Sequence, residues 1–337
     1  MGVVKTLVRI DSDIPLIGAI PFGLIDRGTN VIQVRPVSTC NLSCIFCSTD
    51  AGPASLNRQA EYYVSLDYLI EWFAWISEFK GDVKLEAHID TVGDPLTYNK
   101  LVELVQELRR FKNVHVISLQ THGFLLDERK ACELAEAGLD RVNLSIDSLD
   151  ADKAKVLAGS RAYDVRRVVE VAEYIVNNTQ MDLLISPVWI PGLNDADIEQ
   201  IIEFAKKIKA GKKWPPLGIQ KYEVHKFGRK PVGVKPMKWY EFYRALRVLE
   251  EKYRVKLILS PRDFDTIPAK PLPKPYRLGE RVSVEVIGPG WFRGEYLAVT
   301  RRRDRAVMVV GADVPIGSEV KVTIVRNKDN IYIGRVD

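Results

Sequence analysis

Cys40-Asn41-Leu42-Ser43-Cys44-Ile45-Phe46-Cys47 holds three of the chain's four cysteines at the spacing C-x3-C-x2-C. The apolar run Val31-Ile32-Gln33-Val34 lies just upstream, so the loop leaves the end of a predicted strand. A loop this tight can wrap one face of a compact metal centre. Three thiolates satisfy three irons of a [4Fe-4S] cube and leave the fourth iron open to a non-protein ligand. Zinc is the alternative, but a structural zinc site wants four ligands, usually as two spaced pairs. The remaining cysteine, Cys132, is far off in a helical pattern closed by Gly138, where it reads as packing.

Downstream of the loop, strand and helix patterns alternate. Residues 66–79 carry apolar side chains at helical spacing (Leu66, Leu69, Ile70, Phe73, Ile76, Phe79) and predict a helix covering a sheet. Strands are predicted at 83–89, 114–119, 141–146, 182–189 and 217–222, with helices at 98–111, 127–137, 151–157, 164–177 and 195–208. With the first strand these make about six βα units, the pattern of a parallel sheet with helical crossovers. Periodicity permits either an open barrel or a doubly wound sheet, and in both the ligand sits at the carboxyl ends of the strands. Residues 1–30 form a β-rich lead-in, with a largely apolar run from Val3 to Ile10. Residues 31–260 form the α/β domain. Prolines 261, 268, 271, 273 and 275 make 261–275 a linker or strap. Residues 276–337 predict a small β-barrel with strands at 281–286, 293–300, 305–310, 319–326 and 330–336.

The cysteine spacing, with an aromatic just before the last cysteine, resembles the radical S-adenosylmethionine (radical SAM) superfamily. The resemblance implies a partial (β/α)6 TIM-type barrel and a cluster held by Cys40, Cys44 and Cys47. It further implies that the open iron binds the amino and carboxylate groups of SAM, and that a cluster electron cleaves SAM to methionine and a 5′-deoxyadenosyl radical. A reductant such as ferredoxin or flavodoxin follows. Phe46 is implied to lie against the adenine.

Gly93-Asp94-Pro95 ends the second strand and resembles the superfamily's Gly-Glu-Pro segment, which presents carbonyls to the SAM amino group; Asp94 stands in for the usual Glu. Thr121-His122-Gly123 stands where relatives often carry Thr-Asn-Gly. Thr121 is implied to bond the methionine end of SAM, and His122 is a candidate catalytic or substrate-positioning group. Alternation on the fourth strand puts Asn143, Ser145 and Asp147 on one face, and the resemblance gives them to the SAM ribose and carboxylate. Asn194 belongs to a Pro-Gly-x-Asn-Asp stretch implied to pack on adenine, and Asp195 reads as the N-cap of the next helix. The phrases Leu278-Gly279-Glu280-Arg281-Val282-Ser283-Val284, Pro315-Ile316-Gly317-Ser318-Glu319-Val320-Lys321-Val322 and Ile331-Tyr332-Ile333-Gly334-Arg335 resemble the TRAM domain, an RNA-binding barrel of tRNA-modifying enzymes.

At 337 residues, 46% hydrophobic and 28% charged, the composition is that of an ordinary soluble globular protein. No apolar run is long enough to span a bilayer and the N-terminus lacks a signal-peptide layout, so a cytoplasmic location and no membrane partner are expected. With only Cys132 beyond the triad, neither a disulfide framework nor an auxiliary cluster can be built. The net charge of +5 is modest, but Lys206 to Lys238 holds ten lysines and one arginine against a single acid, Glu223, with Trp214, Tyr222 and His225 interleaved. Basic and aromatic groups together suit phosphates and unstacked bases. Lys212, Lys213, Lys226, Arg229 and Lys230, with Arg301, Arg302, Arg303 and Arg305 on the appended domain, are the expected RNA contacts. The combined expectation is a single-cluster radical SAM enzyme acting on RNA, tRNA in particular. The alternatives are a small-molecule, peptide or lipid substrate with the C-terminal barrel as a protein contact, and a non-enzymatic metal-stabilised RNA-binding protein.

Overall fold

The computed structural model describes residues 4–336; Val3 of the predicted first run and Asp337 of the predicted barrel fall outside them. The chain forms two compact units. One comprises Met1–Thr39, Ala54–His115 and Pro268–Asp337, and the other Cys40–Pro53 and Val116–Ile267.

The N-terminal part of the first unit contains β1 (Thr6–Ile10), β2 (Gly23–Asp26), β3 (Val31–Arg35), β4 (Ala60–Val64), α1 (Leu66–Lys80), β5 (Leu85–Ile89) and α2 (Leu101–Arg109). β1 runs parallel to β4, β3 parallel to β5, and β2 antiparallel to β3. The strand β2 was not expected; its four residues are all buried, including Asp26. That carboxylate accepts from Lys80 Nζ at 2.8 Å, with both side chains fully buried, and from the main chain of Gly28 and Leu272. Burial of two charges is tolerable here because each meets an opposite charge or a hydrogen-bonding partner. After β5 the chain turns through Gly93, where a Cβ would stand 2.0 Å from Thr39 O, so only glycine fits. Asp94 N donates to Thr39 O at 2.8 Å, and the Asp94 carboxylate accepts from Leu96 N to cap the short turn Pro95–Thr97. This turn is thereby fixed to the residue that precedes Cys40.

The second unit is the βα series: β6 (Val114–Thr121), which enters it at Val116, α3 (Glu128–Ala137), β7 (Arg141–Leu144), α4 (Ala151–Ala158), α5 (Val165–Asn178), β8 (Asp182–Ile185), β9 (Val188–Trp189), α6 (Asp195–Lys207), β10 (Gln220–Lys221) and α7 (Trp239–Tyr253). β6, β7 and β8 are parallel in that order. β7 and β8 are buried at every position, the signature of a parallel sheet covered on both faces. The predicted fifth strand divides into β8 and β9 at Pro187, which has no N–H to give. The predicted sixth strand is reduced to β10, but main-chain bonds Ile185 N to Pro216 O (2.8 Å) and Gln220 N to Pro187 O (2.7 Å) keep its segment beside the fifth. α6 begins one residue earlier than the N-cap reading of Asp195 implies. Asn194 occupies the cap position, and Asp195 is the first helical residue, accepting from Trp189 Nε1 and Gly192 N.

The chain then returns to the first unit as five strands, β11 (Arg281–Pro289), β12 (Tyr296–Thr300), β13 (Ala306–Val310), β14 (Glu319–Arg326) and β15 (Ile333–Val336). They close a barrel of order β11-β12-β13-β15-β14, filled by Val284, Val286, Val307, Val309, Val322, Ile324 and Tyr332. The proline-rich stretch ahead of it is a strap: Pro268 bridges Thr29, Leu272 N bonds Asp26, and Pro273 O accepts from Arg305. Among the described residues no helix is long and apolar enough to cross a membrane.

Candidate active site

The cysteine loop, residues 40–53, is gripped by main chain and one arginine. Ser43 N and Ile45 N donate to Ala158 O and Leu157 O at the end of α4, both at 3.0 Å. This approach requires Gly159, at φ +59°, because a Cβ there would lie 2.1 Å from Ser43 O. On the other side Arg229 N donates to Cys47 O at 2.8 Å. Its guanidinium reaches Cys44 O, Asp50 Oδ1 and Ala51 O, each at 2.7 Å. The planar fork of arginine suits this three-way contact; a lysine ammonium is a single point charge and does not.

Each cysteine sulfur has a polar neighbour. Leu42 N donates to Cys40 Sγ at 3.4 Å, Ala51 N to Cys47 Sγ at 3.3 Å, and His122 Nε2 lies 3.5 Å from Cys44 Sγ. Such contacts tune the reduction potential of an iron–sulfur cluster. Burial pushes the Cys44 thiol well up, and Cys40, Cys47 and Asp147 push it further, against the pull of Arg229. A buried thiol such as Cys44 becomes a thiolate only against a compensating positive charge, which an iron centre provides. The donor set fits a three-cysteine cluster.

Beside Cys44 a small cavity is lined by Leu42, His122, Asp147, Ser148, Leu157 and Tyr163 among others. Asp147 accepts from Val188 N at 2.8 Å. Burial holds its carboxyl above the ordinary value, although His122 and the Val188 amide pull the other way. Tyr163 OH donates to His122 O at 3.4 Å. Phe46 is buried in the loop. Thr121 is buried at the end of β6, where its hydroxyl accepts from Gly123 N and its carbonyl from Ser145 N. Ser145 Oγ and Ser186 Oγ share the Gln120 amide, at 3.0 and 3.2 Å.

The structure thus brings Cys44, His122 and Asp147 into one cavity, with Thr121 and Ser145 on the adjoining strand ends. The side chains of two expected cofactor residues bond other groups of the protein. Asn143 accepts from Arg141 Nε at 3.0 Å. Asn194 is fully buried, donating to Asp147 O and Val188 O, both at 2.9 Å, and accepting from Ile190 N at 2.7 Å, so its amide braces the loops around β9. Gly93 and Asp94 belong to the first unit; the Asp94 side chain caps its own turn.

Among the expected RNA contacts, Arg229 is taken up by the cysteine loop, a role signalled only by its being the one arginine in a lysine run. Arg305 is buried, bonding Asp304 O, Pro273 O and Asn330, and Arg303 pairs with Glu285 at 2.7 Å. Lys212 donates to Thr179 O. Trp214 and Tyr222 are core residues; Arg141 lies 4.7 Å over the Trp214 ring. Lys213, Lys226, Lys230, Arg301 and Arg302 are exposed. Cys132 is half-buried on α3, with its thiol donating to Glu136.

The three-cysteine loop lies beside a polar cavity, at the ends of parallel strands under helices. Residues 34–205 match the radical SAM superfamily, and the chain belongs to it. Its cofactors are a [4Fe-4S] cluster and SAM, and its enzymes take a reductant. An uncharacterized protein of Methanocaldococcus jannaschii is 42% identical over 98% of this chain and 81% of its own length. The GTP 3′,8-cyclases of Thermodesulfovibrio yellowstonii and Listeria monocytogenes are 29% and 32% identical over 55% and 53% of this chain. The chain spans about half the length of those cyclases (55% and 51%). Among solved structures, Streptococcus suis SuiB superposes with a TM-score of 0.52 at 16% identity, over 67% of this chain and 47% of its own. That likeness supports the partial TIM-type barrel.

Proposed function

We propose that this chain is a single-cluster radical SAM enzyme of the cytoplasm that modifies RNA, with tRNA the first class to test. The bound cofactors supply a 5′-deoxyadenosyl radical. The chain's own residues do the rest: Cys40, Cys44 and Cys47 hold the cluster and Arg229 holds their loop. Thr121, Ser145 and Asp147 position SAM from the strand ends with Phe46 against it. His122 orients groups beside Cys44.

One observation carries the RNA reading. Between Lys213 and Tyr240 four lysines each lie over an aromatic ring: Lys213 on Trp214 (4.5 Å), Lys221 on Trp239 (4.8 Å), Lys226 on Phe227 (4.8 Å) and Lys238 on Tyr240 (5.9 Å). Trp239, Tyr240 and Tyr243 are exposed on the first turns of α7, with the Trp239 and Tyr243 rings stacked. Exposed rings among lysines match bases and phosphates together. The five-stranded barrel adds support, because oligonucleotide-binding barrels have this strand number.

A second reading, a free purine nucleotide as substrate, is favoured by the likeness to GTP 3′,8-cyclases. The readings separate in one assay. If RNA is the substrate, tRNA from cells lacking the protein stimulates deoxyadenosine formation and gains a new nucleoside mass, while GTP does neither. The reverse pattern favours the nucleotide, and tRNA binding that does not weaken with salt overturns the RNA reading.

A further inference from the structure

The first unit carries an aromatic row that the core does not use. Tyr68, Trp72, Trp75 and Phe79 fall at i, i+4, i+7 and i+11 of α1 and form one stripe, distinct from the buried Leu69, Phe73 and Ile76. Successive ring centroids are 6.3, 6.4 and 6.0 Å apart, and Trp75 is 44% exposed. Tyr68, Glu71, Trp72 and Trp75 line a groove of about 420 Å³ whose other wall is Arg303 to Arg305. Arg301 and Arg302 are exposed on the same β12–β13 turn, and Lys270 lies 4.0 Å over the Phe79 ring at the far end of the row.

The charge around these rings selects the ligand. Cations stand at both ends, and of the two acids in the groove, Asp304 is already engaged by the hydroxyls of Tyr276 and Thr300. Apolar rings between cations suit a chain of flat bases joined by phosphates. The two loops that such barrels use for oligonucleotides are taken up by internal packing here. Small barrels that bind oligonucleotides do so through the loops after their first and fourth strands. Here the β11–β12 loop buries Trp291 and Phe292, stacked at 4.2 Å, with Arg58 5.0 Å over Trp291. The β14–β15 loop buries Asn330, which bonds Arg305, Tyr332 and Leu272 O. The β12–β13 turn is left open, and it faces the aromatic row.

We propose that this groove binds a short unpaired stretch of RNA, with bases on Trp72 and Trp75 and phosphates on Arg301, Arg302 and Lys270. The proposal rests on the RNA reading and adds a docking site in the first unit. The test is fluorescence anisotropy of a labelled single-stranded oligoribonucleotide and of tRNA, over a salt series, with the reconstituted full chain. Trp72→Ala with Trp75→Ala should weaken binding at least tenfold with the salt slope unchanged. Arg301→Ala with Arg302→Ala should flatten the slope by about 0.7 for each single-strand phosphate that is no longer neutralised. Trp75→Gln alone, at the more exposed ring, serves if the double variant loses its circular dichroism or its iron. Wild-type affinity in the tryptophan variants would refute the groove and leave the RNA reading standing; no RNA binding by the wild type would refute both. A dimer that becomes a monomer on tryptophan replacement would show that a second copy fills the groove, and would overturn the proposal.

Discussion

Replacing Arg229 by alanine removes three hydrogen bonds of 2.7 Å from the cysteine loop at once. One of them joins a carboxylate, Asp50, whose side chain is 2% exposed. Breaking a buried ion pair from one side costs about 3–5 kcal/mol. Arg229 itself keeps 19% exposure, so solvent screening puts the loss at the low end, about 3 kcal/mol. Concentrated on the loop, this amounts to a roughly hundredfold shift from the ligating to the open conformation. The assay is iron and sulfide per chain after anaerobic reconstitution, together with the rate at which a chelator strips the iron. Arg229→Ala should lose iron far faster than wild type, and Arg229→Lys should recover little of the loss, because an ammonium cannot span the three acceptors. An Arg229→Ala protein that holds its cluster like wild type, but loses RNA affinity with a flatter salt dependence, would refute the clamp and restore the arginine to the RNA surface.

Further outcomes follow from other sites. His122→Ala should lower the cluster's midpoint potential in an EPR titration, because a donor beside Cys44 Sγ favours the extra electron; His122→Gln should recover part of the shift. Lys80→Met leaves the buried Asp26 carboxylate without its ammonium and should cost about 3–5 kcal/mol in urea unfolding, with Lys80→Met/Asp26→Asn recovering part. Asp263 accepts from Lys256 and from Ser260 N and Oγ, which lower its carboxyl from 3.8 to about 2. Its folded-state pKa is depressed, so its contribution is complete above the unfolded value and is lost as pH falls from about 4 through 2. An NMR titration of its side-chain carboxyl should find the midpoint near the lower figure.

The cysteine loop and the strand–helix alternation were legible because both are local. Spacing within eight residues singles out three candidate ligands, and periods of two and 3.6 residues mark the elements. The second stripe on α1 was not legible, since Phe79 shares its spacing with both stripes and periodicity cannot say which the core takes. The Arg229 contacts with the cysteine loop were not legible because its partner Asp50 lies 179 residues away, and a basic run looks alike whether its members face solvent or clamp a loop. The bracing role of the Asn194 side chain was not legible, since a short amide that satisfies three main-chain groups leaves no sequence trace beyond the Pro-Gly-x-Asn stretch. The division of the fifth strand did have a visible cause, Pro187, whose missing N–H interrupts the ladder.

The central claim is a single catalytic cluster on Cys40, Cys44 and Cys47. Its most direct test is anaerobic reconstitution followed by SAM and dithionite, with iron and 5′-deoxyadenosine measured together. About four irons per chain and deoxyadenosine formation are expected, both lost when any of the three cysteines becomes alanine and both kept in Cys132→Ala. Stoichiometric zinc without iron, or deoxyadenosine formation that survives Cys44→Ala, would contradict it.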